Sequence, residues 1–497
     1  MGKLDRSMKI AVEIALAAAV LAVHPVSAQQ QQPSGEMLTL EDAIAATLTD
    51  NPAMKAAAYE ERAAEQERRA AIGLRMPQIG VTGAYTYMSK DIGFDFNDLK
   101  GSVQDFSGKL LGSGMIDPSL LPTIQQGVQQ LIGPIMASDW FLKVQDRSFG
   151  FVGGEVTVPV FLGGKINAAN RAAKIQQQAA VEQGNQTRYA LISQVAERYF
   201  GLALALQVVE VRRQVVDGVR RHLDDAIALE QNGMIAHSER LYVEFKMAEA
   251  ERELANAQLQ AKTISSALQN TLNRDGDYLP VTAMFVLDHI ETLDYYRELA
   301  EERNPLLGQV SLKRRLAEEG VRVQRSDFMP QVVAMGGASF YNYQVAGLVP
   351  RWAVGVGVNF KIFDGLNREY KFSAAKQTAR RVGELQTKAG KDISVLLEQL
   401  YDQLQSYRNR IVSIDASLAF AEEYLRVKNA AFLEGLSSSS DLIDAELNLA
   451  AVRAERLQAA FNYDKTLAQL LETAGIADEF PAYARRSDAQ RILFNGK

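Results

Sequence analysis

The sequence predicts a mixed α+β fold, mainly α, built as a tandem structural repeat with four strands per chain. Three observations predict it. Landmarks recur at fixed offsets, long stretches run without proline, and paired short segments alternate large apolar with small or polar residues. Internal similarity comes first, because it sets the organisation of everything else. Asn51-Pro52 recurs as Asn304-Pro305 and Met76-Pro77-Gln78 as Met329-Pro330-Gln331, both 253 residues apart. Phe161, Tyr199 and Gly233 recur as Phe363, Tyr401 and Gly435, all 202 residues apart. One insertion of 51 residues between Gln78 and Phe161 accounts for the two offsets.

In chain order, residues 1–28 read as an export signal. Lys3, Arg6 and Lys9 form a positive start, Ile14 to Val23 a short apolar core, and Val26-Ser27-Ala28 a small-residue cleavage site before Gln29. Its removal takes away three basic and two acidic residues, so the net charge of -6 becomes about -7. Gln29 in place of cysteine leaves no lipidation site.

The first repeat then spans 29–280 and the second 281–475, followed by a C-terminal tail over 476–497. Each repeat reads helix, two strands, long helix, helix. Asn51-Pro52 is a helix start, since proline at the first helical position sacrifices no hydrogen bond. After Gly163-Gly164 a helix of about 66 residues runs to Gln231, and at ~1.5 Å per residue it spans ~100 Å. Gly233 breaks it, and a helix of ~39 residues continues to about Leu272. The two shorter helices, ~24 and ~39 residues, match the long one when laid end to end. Their apolar stripe, as at Val195, Tyr199, Leu202 and Leu206, has coiled-coil rhythm, and flanking alanines suit close side-by-side packing.

The strands alternate. Trp352, Val354, Val356, Val358, Phe360 and Ile362 share one face, and Ala353, Gly355, Gly357, Asn359 and Lys361 the other. Ile79, Val81, Tyr85 and Tyr87 alternate with Gln78, Gly80, Thr82 and Thr86 in the same sense. A large-apolar face backed by a small or polar one suits a membrane barrel with a wet lumen. Four strands cannot close in lipid without leaving unsatisfied edges, so this reading requires three copies and a twelve-stranded β-barrel. Segment 89–148 lies mostly within the insertion, carries a helix-like patch from Leu120 to Ile135, and caps the barrel on its outer side. The equivalent turn at Ala346-Gly347 is short.

Composition excludes other classes. At 497 residues with 47% hydrophobic and 23% charged residues, and a mean hydropathy of -0.13, the chain is neither a disordered polymer nor a polytopic helical membrane protein. No basic run marks a nucleic-acid partner. The absence of cysteine removes thiol catalysis, disulfides and Cys-based metal sites. Four scattered histidines (His24, His222, His237, His289) offer no metal or catalytic set. Gly163-Gly164-Lys165 is too short for a phosphate loop. The expectation is a protein that is not an enzyme, with no catalytic, cofactor or metal site.

The duplicated unit, the Asn-Pro helix start, the MPQ before a strand, the strand ending VFLGGK and the tip glycine followed by SSSSDLIDAE resemble the TolC-like outer-membrane efflux channels. The likeness covers nearly all of 38–475. It implies a homotrimer whose short β-barrel in outer-membrane lipid continues into a long periplasmic α-helical barrel, closed at its inner tip. It further implies the exit duct of a tripartite efflux or type I secretion system, passing small molecules or polypeptides. The implied partners are a periplasmic adaptor (membrane fusion) protein and an inner-membrane pump of RND, ABC or MFS type. Carried over residue by residue, the resemblance assigns Asp441 and Asp444 to a cation-selective ring at the periplasmic gate, six carboxylates in a trimer. Glu239 takes the acidic tether position of the first copy. Phe432 stands where the family has a constricting tyrosine, and Ser437 where it has a tethering arginine. Gly233 and Gly435 mark the tips where adaptor hairpins dock. The competing reading is an exported periplasmic coiled-coil adaptor or scaffold, which explains the helices but neither the repeat nor the outward-apolar strands.

Overall fold

The computed structural model describes residues 35–112, 120–347 and 350–492; the expected export signal lies outside them. The repeat is visible element by element. The first copy holds α1 (Leu40–Asp50), α2 (Pro52–Gly73), β2 (Gln78–Tyr87), β5 (Ser148–Leu162), α5 (Lys165–Gln231) and α6 (His237–Leu272). The second holds α7 (Leu293–Arg303), α8 (Pro305–Ser326), β8 (Gln331–Tyr343), β9 (Trp352–Asn359), α9 (Asn367–Leu433) and α10 (Ser439–Ala474). Corresponding helices have equal lengths: 11, 22, 67 and 36 residues in both copies.

The two shorter helices are a little shorter than their sequence spacing suggests, because α2 ends at Gly73 before the proline turn and α6 begins only at His237. They are nonetheless spliced end to end. Asn51 caps α2, its Oδ1 accepting from the Ala53 amide at 2.8 Å, while its Nδ2 donates to the Thr271 carbonyl in the last turn of α6 at 2.8 Å. Asn304 repeats this in the second copy, accepting from Leu307 at 3.0 Å and donating to Thr473 of α10 at 2.7 Å. One buried amide thus satisfies an orphan donor at one helix start and an orphan acceptor at another helix end.

The sheet order is β2-β5-β8-β9, antiparallel throughout. The helices follow the same order. α2, α5, α8 and α9 lie side by side next to the sheet, and α6, α5, α10 and α9 farther from it. The register puts Ile79, Val156, Gly336 and Val354 in one row across all four strands. The next row, Gly80, Glu155, Gly337 and Ala353, faces the other way. Val81, Tyr85, Trp352, Val354, Val356 and Val358 are all strongly exposed, so this chain alone covers none of the apolar face. The second strand stops at Asn359, so Phe360 and Ile362 continue the exposed apolar line as irregular chain leading into α9. No helix among the described residues is long and apolar enough to cross a membrane.

Two features were not legible in the sequence. The insertion contains its own hairpin, β3 (Ile92–Asp95) with β4 (Phe141–Gln145), bearing α3 (Asp98–Leu111) besides α4 (Leu121–Ala137), the one part that the helix-like patch from Leu120 to Ile135 did announce. A collar also surrounds the middle of the long helices. There β1 (Glu36–Leu38) pairs with β6 (Tyr278–Pro280), and β7 (Met284–Leu287) with β10 (Ala489–Ile492). The residues after 475, expected as a tail, join this collar through α11 (Phe480–Ala484). Phe200 of α5, Phe285 of β7 and Phe480 of α11 form a fully buried trio with ring centroids 6.1–6.2 Å apart. Such pairs contribute about 0.5–1.5 kcal/mol each beyond area burial. Tyr199 donates to the Leu38 carbonyl at 2.7 Å and accepts from the Thr282 amide at 2.8 Å, tying β1 to the long helix.

Candidate functional site

The gate residues named above gather at the end of the helices opposite the sheet, where each copy turns back on itself. The turns are made by Gly233 (φ +67°) and Gly435 (φ +71°) in the left-handed region, which a side chain disfavours. Both close the preceding helix in the same way. The Gly233 and Met234 amides donate to Glu230 and Leu229, and the Gly435 and Leu436 amides to Phe432 and Ala431.

In the second turn, α10 starts with Ser438 as its cap. The Ser438 Oγ accepts from the Asp441 amide at 3.2 Å, and Ser440 instead shares a hydrogen bond with Ser438 at 2.8 Å. Asp441 is exposed in the first helical turn, and Asp444 is exposed one turn later on the same side. Asp441 Oδ2 receives Lys428 Nζ at 3.3 Å and the Ser437 hydroxyl at 3.2 Å. The Lys428 ammonium, then the Ser437 hydroxyl, hold the Asp441 carboxyl below its ordinary range. Ser437 therefore touches the acidic pair directly, although it carries no charge. The cation absent from that position is supplied by Lys428, from the descending helix α9. In a helical hairpin, residues equidistant from the turn face each other; Lys428 and Asp441 stand seven before and six after Gly435. That symmetry is the signal that could have found Lys428.

Phe432 lies apart from this cluster. Its ring meets His222 of α5 edge-on, with centroids 6.3 Å apart and planes at 77°. His222 is buried, and its Nε2 lies 3.2 Å from Glu446 Oε1 on α10. The Glu446 carboxylate sits directly over Gly218, where any larger residue would collide with it. A cavity of about 140 Å³ next to it is lined by Gln214, Arg221, Glu446 and Arg453, among others. Neither His222 nor Glu446 was legible as a site residue, since they come from different copies of the repeat.

The first turn is clamped by charge. Glu230 accepts from His237 at 2.7 Å and from Arg240 at 2.5 Å, and Arg240 also reaches Glu244. The His237 hydrogen bond is the main cause of a lowered Glu230 carboxyl. Glu239 is exposed in the first turn of α6, beside this clamp but outside its hydrogen bonds. Lys246 of α6 is held within the first hairpin. Its own Glu249, bonded at 3.1 Å, raises the ammonium most, and Asp444 of the other hairpin adds to the rise. The structure thus brings Ser437 and Lys428 to Asp441. It leaves Phe432 on the far side with His222.

Comparison with known proteins adds three findings. Residues 147–274 and 296–475 match the family described as outer membrane efflux protein. Over 315 residues the chain is 21% identical to the outer membrane protein TolC of Escherichia coli (strain K12), covering 59% of this chain and 63% of that protein. The aligned stretch thus spans less than two thirds of TolC. Among solved structures, the outer membrane channel CmeC of Campylobacter jejuni superposes with a TM-score of 0.67 at 12% identity, covering 90% of this chain and 89% of that one. The open-state outer membrane channel MtrE of Neisseria gonorrhoeae gives 0.67 at 15% identity, covering 88% and 89%. These last two show a shared fold.

Proposed function

The chain belongs to the outer membrane efflux protein family, and on that premise we propose that three copies form the exit duct of a tripartite efflux or type I secretion system. The protein resides in the outer membrane and extends into the periplasm. One observation carries the proposal: a four-stranded sheet with two unpaired edges, β2 and β9, and an uncovered apolar face. Three copies of four strands close twelve, which satisfies every edge and turns the apolar rows toward lipid. The small and polar rows then line a lumen, and the helices continue it away from the membrane as a barrel of close-packed walls.

The role is passage and not catalysis. The cargo is small molecules or polypeptides, delivered by an inner-membrane pump of RND, ABC or MFS type through a periplasmic adaptor that docks at the Gly233 and Gly435 tips. Asp441 and Asp444, repeated three times, ring the aperture and favour cations. Glu239, Phe432 and Ser437 border it. Membrane fractionation followed by mass measurement in detergent tests the assembly, and planar-bilayer recording tests the pore. A trimer from the outer membrane with discrete conductance supports the reading. A monodisperse monomer in the aqueous fraction would sink it.

A further inference from the structure

The insertion leaves an apolar surface that neither the sheet nor the helical wall uses. On α3, Leu99 and Phe106 stand seven residues apart and are 52% and 70% exposed. On α4, Ile124, Leu131 and Ile135 follow at intervals of seven and four, with Leu131 74% exposed. These helices are held in a defined place. Trp140 Nε1 donates to the Ile135 carbonyl at 2.9 Å and Lys100 Nζ to the Ser138 carbonyl at 2.6 Å. Asn97 joins the two ends, donating to Asp139 at 2.8 Å and accepting from the Trp140 amide at 3.1 Å. At the base, Gln145 donates to the Gln344 carbonyl at 2.6 Å and accepts from the Ala346 amide at 2.7 Å, latching the arm to the second hairpin of the sheet. The arm is a built element whose apolar stripe lacks a cover among the described residues of its own chain.

We propose that the arms of three copies pack their apolar stripes against one another, forming a cap over the outer mouth of the channel. The inference rests on the trimeric reading above. Two features select other copies of this chain as the occupant. First, α4 contains no Asp, Glu, Lys or Arg among its 17 residues. Where the arms meet on the threefold axis over the mouth, a side chain faces its own copies, so a charge there would meet its like. A charge-free helix removes that penalty. Second, the insertion occurs only in the first repeat, between β2 and β5, and its base is latched to the far hairpin of the same sheet, which gives one arm per chain reaching across the top of the strands. A membrane surface fits α4 less well, since helices that lie on lipid carry Lys and Arg on their polar face and α4 has neither, although α3 carries Lys100 and Lys109.

The absence of native cysteine makes the test direct. Leu131→Cys places a thiol on the stripe, and Gln129→Cys places one on the opposite side of the same helix. Mild oxidation of the detergent-solubilised protein is followed by denaturing electrophoresis, with native mass measured in parallel. Covalent dimers from Leu131→Cys but not from Gln129→Cys, in an intact trimer, are the expected result. In planar bilayers Leu131→Asp combined with Ile135→Asp should raise conductance severalfold. An intact trimer without the cross-link, or with the Leu131→Cys thiol consumed by a lipid-borne maleimide, overturns the cap and leaves the duct standing. A chain that forms no trimer overturns both.

Discussion

The Nε2 of His222 lies 3.2 Å from Oε1 of Glu446, yet neither ring nitrogen makes a hydrogen bond among the described residues. The pair fills the space between the long helix of one copy and the returning helix of the other, with Phe432 against the ring. His222→Ala removes the ring that packs between the two helices. The expected cost is about 0.5–3 kcal/mol, for the cavity left beside Phe432 and Glu446. The freed Phe432 should loosen the tip, seen as larger or noisier conductance. Glu446→Gln keeps the shape and should cost less. Denaturation in detergent and planar-bilayer recording check both, and equal behaviour of the two variants would refute the role of the ring.

Asp441 and Asp444 should set ion preference. Asp441→Asn with Asp444→Asn should lower cation selectivity and abolish block by trivalent cations added from the periplasmic side, with little change in trimer stability, because asparagine keeps size and capping ability. The depressed Asp441 carboxyl gives a pH signature. Its pairing with Lys428 is fully present above the ordinary aspartate value of about 3.9 and is lost only as pH falls through the lowered native value. Lys428→Ala should move that loss of selectivity to higher pH. An unchanged pH profile in Lys428→Ala would show that the ion pair does not hold the carboxylate.

Burial pushes the Asp464 carboxyl well above its usual range; one oxygen accepts from the Phe285 amide at 3.2 Å and the other has no hydrogen-bond partner among the described residues. A native value raised above the unfolded one means the folded protein holds a proton that the unfolded chain releases. Stability therefore declines as pH rises from the ordinary aspartate range toward the raised value. Asp464→Asn mimics the neutral acid and should flatten that decline. Melting curves from pH 4 upward (about the unfolded value) decide it; parallel slopes in both proteins would contradict the prediction.

Asn51→Ala and Asn304→Ala should weaken the splices between short helices to similar extents, about 1–2 kcal/mol each for the lost cap. Each also strands a carbonyl, Thr271 or Thr473. Similar losses in chemical denaturation would show that the repeat is energetically as well as geometrically symmetric.

At the tips, a Cβ on Gly233 or Gly435 would meet nothing within 4 Å, so Gly233→Val and Gly435→Val strain only the backbone, by about 1–2 kcal/mol. If adaptors dock there, efflux should fall more than trimer abundance. Parallel losses in immunoblot and drug-susceptibility assays would assign the glycines to folding alone.

The sequence by itself determined the repeat, the long helices, their breaks at Gly233 and Gly435, the four barrel strands and the apolar face they share. Each is written in local periodicity or in a backbone requirement that one residue type meets. It placed Asp441, Asp444 and Ser437 near the same tip, because all three lie within nine residues after Gly435. Only the tertiary structure decided the rest. The collar strands β1, β6, β7 and β10 run three or four residues, too short to show alternation, and Phe480 joins Phe200 across most of the second repeat. Lys428 reaches Asp441 across a turn, thirteen positions away in sequence. His222 and Glu446 belong to different copies, and no spacing rule links helices whose adjacency comes from the order in which the wall is laid. Side chains brought together by packing leave no trace in either segment alone.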